Sequence, residues 1–231
     1  MILEADSIGK SFGTRRILTA ASLRARAGTV TALLGRNGAG KSTLLKVAAG
    51  WIAADYGIVR FAGRVYPRPR LAELARRGLF YLADRTFLEP SQPLGRQLTT
   101  ISERFQGPPA GEVAEALGLG DQLATAPGRL SGGELRRAEV AAAVARRPLC
   151  VVADEPFRGT APLDIEMIVG ALRRLAVNGC AVVISGHEVT TMLAAADRFV
   201  WCVAGTTHEY ESVEAVRADL QFQREYFGYP L

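Results

Sequence analysis

The densest chemical signal lies in the nine residues Gly35-Arg36-Asn37-Gly38-Ala39-Gly40-Lys41-Ser42-Thr43. Their spacing fits G-x-x-x-x-G-K-[ST], a pattern that carries chemistry when a strand precedes it and a helix follows. Here the apolar run at residues 29–34 (TVTALL) precedes it and a helical apolar stretch at 44–49 follows. Glycines let the backbone curl so that successive N–H groups point inward, and a helix start adds partial positive charge, which together cradle phosphates. In such a loop Lys41 reaches the β- and γ-phosphates, and the Ser42 hydroxyl ligates Mg²⁺.

Two further strand ends offer matching groups. The run at 149–153 ends in Asp154-Glu155, and the run at 180–185 leads through Gly186 to His187. In a parallel sheet, ligands gather at the carboxyl ends of the strands, so these side chains are expected to face the crevice of the phosphate loop. One carboxylate can hold Mg²⁺ and the next can accept a proton from an attacking water. His187 can donate a hydrogen bond to a γ-phosphate. Taken alone, the acidic pair reads as surface charge and the histidine as packed or solvated.

A second helix start stands out in RLSGGELRR, residues 129–137. Ser131 with Glu134 three residues on forms a capping box. Gly132 and Gly133 weaken the helix by up to ~1 kcal/mol each relative to alanine. They suit a backbone that must come close to a ligand, and at a helix N-terminus that ligand is an anion.

The elements that position these groups are legible in outline. The runs at 29–34, 149–153 and 180–185 have the length and composition of strands buried on both faces. Between the last two, residues 164–177 repeat Ile165, Ile168, Val169, Leu172 and Leu175 at helical spacing, which makes a crossover unit and a parallel sheet. The first sixty residues, with the extended stretch 58–66, predict an antiparallel β portion. Residues 85–147 predict a helical insertion, including a helix at 112–119, broken by Pro108-Pro109 and Pro127-Gly128. A final stretch, 211–228, is amphipathic.

Composition narrows the partners. The 231 residues are 48% apolar, enough for a sizeable core, which excludes a disordered chain. The net charge of +5 is spread as pairs such as Arg15-Arg16, Arg76-Arg77, Arg136-Arg137 and Arg173-Arg174, expected on solvated helix faces. With no concentrated basic stripe, no nucleic acid partner is expected. Cys150, Cys180 and Cys202 lie far apart in apolar runs and predict buried reduced thiols in a cytoplasmic protein. The N-terminus has no charged-then-apolar leader, and no apolar run approaches the ~18 residues of a membrane-spanning helix.

GRNGAGKST, then LSGGE, then VVADEP, then a histidine after one more strand resemble, in that order, the ATP-binding subunit of an ABC transporter. The resemblance covers nearly the whole chain. It implies an α/β P-loop NTPase: a RecA-like mixed sheet core, residues 1–84 and 148–231, with an antiparallel β subdomain and an inserted helical subdomain at 85–147, all in one domain spanning 1–231. It implies ATP and Mg²⁺ as cofactors, and hydrolysis driving a separate integral membrane permease. It also implies a head-to-tail dimer, a homodimer, in which each LSGG closes over the ATP held by the other chain.

Carried over by position, Phe12 stacks on adenine; Gly35, Asn37, Gly38, Gly40, Lys41, Ser42 and Thr43 hold the phosphates; and Ser131, Gly132 and Gly133 contact the nucleotide in trans. Ser42 and Asp154 serve Mg²⁺, Glu155 is the general base, and His187 is the switch histidine, with Lys41 counted among the catalytic groups. The chain would sit in the cytoplasm, peripheral on the inner face of the cell membrane. Two positions depart from the family pattern. Asp84 replaces the usual glutamine after YLA; it could still meet Mg²⁺ through oxygen but lacks an amide donor. Ala161 stands where an aspartate is common. EPFRG at 155–159 and EYFG near the end are similar to branched-chain amino acid and lipopolysaccharide transporter ATPases. A soluble relative acting on nucleic acid, a ribosome or an iron–sulfur scaffold, or a nucleotide-gated switch without useful turnover, are the competing readings.

Overall fold

The fold is that of a computed structural model, of which residues 1–227 are described. In chain order the elements are β1 (Leu3–Phe12), β2 (Arg15–Ala25), β3 (Val30–Leu34), α1 (Lys41–Ala48), β4 (Tyr56–Phe61), β5 (Arg64–Tyr66), α2 (Leu71–Arg76) and β6 (Leu79–Leu82). Then come α3 (Leu94–Phe105), α4 (Ala110–Glu115), α5 (Gly132–Arg146), β7 (Cys150–Ala153), α6 (Pro162–Val177) and β8 (Ala181–Gly186). The chain continues through α7 (Val189–Ala195), β9 (Arg198–Val203), β10 (Thr206–Tyr210), α8 (Val213–Ala218) and α9 (Leu220–Tyr226).

Among the described residues, ten strands form one sheet in the order β5-β4-β1-β2-β10-β9-β3-β8-β7-β6. β9, β3, β8, β7 and β6 run parallel, whereas β1, β2, β4 and β5 pair antiparallel. The parallel strands β3, β7 and β8 are buried at every residue, the condition that their unbroken apolar runs imply. Side chains alternate across a strand, so the sheet divides the core in two. Ala32, Leu34, Val151, Ala153, Val182 and Ile184 face the helices α3, α5 and α6. Leu33, Val152 and Val183 face α1 and the antiparallel strands. Because β3, β7 and β8 run parallel and in register, their carboxyl ends lie at the same edge and deliver residues 35, 154 and 187 there.

Two expected helix bounds need correction, and the amphipathic stretch resolves into its elements. The helix expected at 112–119 is the shorter α4, because Gly118 takes a left-handed φ of 61° and the amide of Leu119 bonds back to Ala114 O at 2.8 Å. The helix expected at 164–177 begins at Pro162, whose ring suits the first helical position. The amphipathic stretch from 211 is two helices, since the Asp219 carboxylate accepts from the amides of Gln221 and Phe222, each at 2.9 Å, and starts α9 anew. Gly228, the last residue of that stretch, lies outside the described residues. Between β6 and β7 the chain forms α3, α4 and α5 and no strand.

Candidate active site

The loop after β3 closes on itself. A side chain at Gly35 would come 2.7 Å from the Cys202 carbonyl oxygen, and Gly40 holds a φ of 106° as the residue that starts α1. Lys41 Nζ turns back under the loop and donates to the carbonyls of Gly35 at 2.7 Å and Arg36 at 3.2 Å. Burial lowers the Lys41 ammonium from its ordinary pKa, and the charges of Glu155, Cys202 and Asp154 oppose that shift. α1 has no acidic residue in its first turn, so nothing competes with an anion there. Beside the loop opens a cavity of about 530 Å³ lined by Arg15, Arg16, Arg36, Asn37, Gly38 and Glu225, among others. Phe12, paired with Arg15 across the β1–β2 turn, is 52% exposed, with Lys10 Nζ 5.5 Å from its ring centre. It is not a core phenylalanine.

Asp154 is buried and accepts from three hydroxyls. Oδ1 accepts from Ser42 Oγ at 3.0 Å and from Ser185 Oγ at 2.7 Å, and Oδ2 accepts from the Tyr81 hydroxyl at 3.3 Å. Burial, with the Asp154 charge, raises the Tyr81 phenol far above its ordinary range, so it stays a donor. Glu155 follows with a φ of 48°, a left-handed conformation that costs a non-glycine residue on the order of 1–3 kcal/mol. Its amide donates to Ser185 Oγ at 2.9 Å, and its Oε1 lies 3.8 Å from His187 Nδ1. The Glu155 side chain is 20% exposed and that of His187 46%, so the pair opens to solvent. Asp84 is exposed and makes no hydrogen bond or ion pair among the described residues.

Lys41, Ser42, Asp154, Glu155 and His187 thus come together at one edge of the sheet. Ser131, Gly132 and Gly133 do not join them within the chain. Ser131 makes the capping box, its amide donating to Glu134 Oε2 at 2.8 Å while its hydroxyl accepts from the Glu134 amide at 3.3 Å. Among the described residues, no hydrogen bond or ion pair links these three residues to residues 35–43. The two glycines have different reasons. A Cβ at Gly133 would meet Asp164 Oδ2 at 2.2 Å, whereas one at Gly132 would meet nothing within 4 Å. Gly133 is explained inside the fold, and Gly132 is left facing open space.

Sequence reasoning missed Ser185, Tyr81 and Arg136. Ser185 could have been found from strand register: Ala153 pairs with Ile184, so the next residues, Asp154 and Ser185, are neighbours. Arg136 and Arg137 were expected on a solvated face, and both turn inward. Arg137 pairs with Asp164 at 2.8 Å, and Arg136 pairs with Glu139 at 2.8 Å in the interior. Cys150, Cys180 and Cys202 are buried and unpaired, as expected.

The comparisons with known proteins agree with this geometry. The model of the ABC transporter family matches residues 18–158. The chain is 31% identical to a probable ABC transporter ATP-binding protein of Azorhizobium caulinodans, over 98% of this chain and 83% of the relative. It is 30% identical to the lipopolysaccharide export system ATP-binding protein LptB of Haemophilus influenzae, over 98% and 97%. A crystal structure of the ADP conformation of an ATP-binding cassette of an ABC transporter superposes with a TM-score of 0.84 at 26% identity, covering 98% of each chain.

Proposed function

We propose, from the premise that this chain belongs to the ABC transporter family as an ATP-binding and ATP-hydrolysing subunit, that its catalytic site is completed by a second copy and that turnover drives a membrane permease. The observation that carries the reading is the join between the phosphate loop and the acidic strand end. Ser42 and Asp154 meet at 3.0 Å, and the next residue, Glu155, stands 3.8 Å from His187.

In this reading ATP lies along the loop with adenine against the exposed ring of Phe12. The amides of residues 35–43, with Gly35, Asn37, Gly38, Gly40 and Thr43 among them, hold the phosphates at the start of α1. Lys41 leaves the loop carbonyls for the β- and γ-phosphates. Glu155 accepts a proton from the attacking water, and His187 donates to the γ-phosphate. Ser131 and Gly132, exposed at the start of α5, and the half-buried Gly133, all free of their own chain's loop, present that helix N-terminus to the nucleotide of the partner subunit.

The residues fit Mg²⁺: Ser42 and Asp154 are hard oxygen donors already in register, and no cluster of three or more His, Cys, Asp or Glu among the described residues could hold a metal alone. The ion, when bound, would neutralise charge on the phosphate oxygens. Asp84 bonds to neither of these two residues, although its charge acts on Tyr81, the hydroxyl that donates to Asp154; Asp84→Gln tests whether it helps to hold the ion.

No helix of the described residues is long and apolar enough to cross a membrane. We place the chain at the inner face of the membrane, attached through the permease. An exposed aromatic surface supports this: Phe87 meets Phe80 edge-on at 5.4 Å, and the Arg146 guanidinium lies 4.5 Å from the Phe105 ring centre. Phe87 and Phe105 both lie within the residues expected to form the helical part of the single domain, 85–147, which also carries Ser131. Mg²⁺-dependent ATPase measurement of Glu155→Gln tests the function. Turnover falls by about 10²–10⁴ for a lost general base while ATP still binds; turnover at the wild-type rate contradicts the assignment.

A further inference from the structure

The geometry points to Arg136 as a positioning residue that holds Glu155 in its working conformation and ties it to the helix bearing Ser131. The proposal rests on Glu155 being the general base.

Arg136 sits one turn into α5, buried to 9% exposure. Every nitrogen of its guanidinium is engaged. Nε donates to Pro156 O at 3.2 Å, Nη1 to Ala83 O at 2.9 Å and to Glu139 Oε2 at 2.8 Å, and Nη2 to both Asp154 O and Glu155 O at 3.0 Å. Three successive carbonyls, 154 to 156, therefore converge on one planar fork, which an arginine can satisfy and a lysine ammonium cannot. The middle carbonyl belongs to Glu155, the residue with the left-handed φ of 48°. A conformation of that kind persists only when its surroundings over-determine it. Here Ser185 holds the Glu155 amide, and Arg136, with the Arg158 amide at 3.2 Å, holds its carbonyl.

The remaining bond, to Ala83, reaches the end of β6, immediately before Asp84. One side chain thus fastens three parts together: the start of α5, the backbone of the acidic strand end, and the segment leading to the exposed Phe87. If the partner's nucleotide pulls on Ser131, or the permease moves the loop after Ala83, Arg136 carries that displacement to the Glu155 peptide. Glu139 has a different task. It neutralises the buried guanidinium and touches none of the three carbonyls.

The test compares Arg136→Lys with Glu139→Gln in the full chain, reading kcat, the KM for ATP, binding of a fluorescent ATP analogue and the melting temperature. Arg136→Lys keeps a charge beside Glu139 but loses the fork. It is expected to lower kcat by about tenfold or more, about 1.4 kcal/mol of barrier, with KM and analogue affinity little changed. Glu139→Gln is expected to lower the melting temperature at least as much while leaving kcat near wild type. If Arg136→Lys does not fold, the double variant Arg136→Gln/Glu139→Gln, which buries no unpaired charge, is expected to show the same loss of kcat. Wild-type kcat in the arginine variant, or loss of kcat in step with melting temperature in both variants, overturns the proposal. Glu155→Gln, measured alongside, separates the two claims. If it turns over normally, the general-base reading fails and this inference with it; if it is inactive while Arg136→Lys runs at full speed, this inference alone fails.

Discussion

Ser185 holds Asp154 directly: its hydroxyl donates to Asp154 Oδ1 at 2.7 Å, and the same oxygen accepts the amide of Glu155 at 2.9 Å. One buried hydroxyl thus serves both carboxylate residues of the strand end. Ser185→Ala leaves a buried amide without a partner and costs about 1–3 kcal/mol. That corresponds to a fall of roughly 2–4 °C in melting temperature per kcal/mol for a chain of this size. ATP turnover is expected to fall with it, since the Asp154 carboxylate and the Glu155 backbone each lose a restraint. An unchanged melting temperature and turnover would show that neither bond is made.

Phe12 is open to solvent, so its removal should cost binding rather than stability. Phe12→Ala is expected to weaken ATP about tenfold, the equivalent of a stacked aromatic pair of about 1 kcal/mol or somewhat more, at an unchanged melting temperature. Phe12→Trp should retain affinity. A fall in melting temperature with unchanged ATP affinity would assign Phe12 to packing instead.

Among the described residues Asp84 makes no hydrogen bond to Ser42 or Asp154. Asp84→Gln is expected to keep most of the ATPase activity of the isolated subunit. A loss beyond about tenfold, about 1.4 kcal/mol of transition-state stabilisation, would show that the carboxylate has been recruited into the site.

The thiols give a pH signature. Burial pushes Cys180 up to about 12 and Cys202 up to about 11 from an ordinary 9.0, and Cys150 well above it. Folded values above the unfolded one mean that the stability these thiols contribute is complete below about pH 9. It is lost as the pH rises through the window from 9 to about 11–12, where the unfolded chain ionises first. Denaturant midpoints across this range are expected to fall, and a thiol reagent at pH 8 to modify the cysteines only on unfolding. Rapid labelling of the native chain would contradict the burial.

Much of the site was legible because its parts obey local rules. The phosphate loop has a fixed spacing between a strand and a helix, and Ser131 and Glu134 announce their cap three residues apart. The parallel strands were readable as unbroken apolar runs. What escaped depends on contacts distant in sequence. Arg136 looks like any helix-surface arginine until the carbonyls of residues 83 and 154–156 are folded against it. Gly133 pointed towards a ligand on propensity grounds, yet its nearest neighbour is the carboxylate of Asp164, thirty-one residues on. The split at Asp219 escaped because amphipathic spacing continues through a residue that caps.

The central claim is that a complete catalytic site needs two chains. Its most direct test is size-exclusion chromatography with light scattering on Glu155→Gln, with and without Mg²⁺ and ATP, beside the double variant Glu155→Gln/Ser131→Arg. The account predicts a monomer without nucleotide, a dimer with ATP, and a monomer again when Ser131 is replaced even though ATP remains bound. Glu155→Gln that stays monomeric with ATP bound to every chain would contradict it.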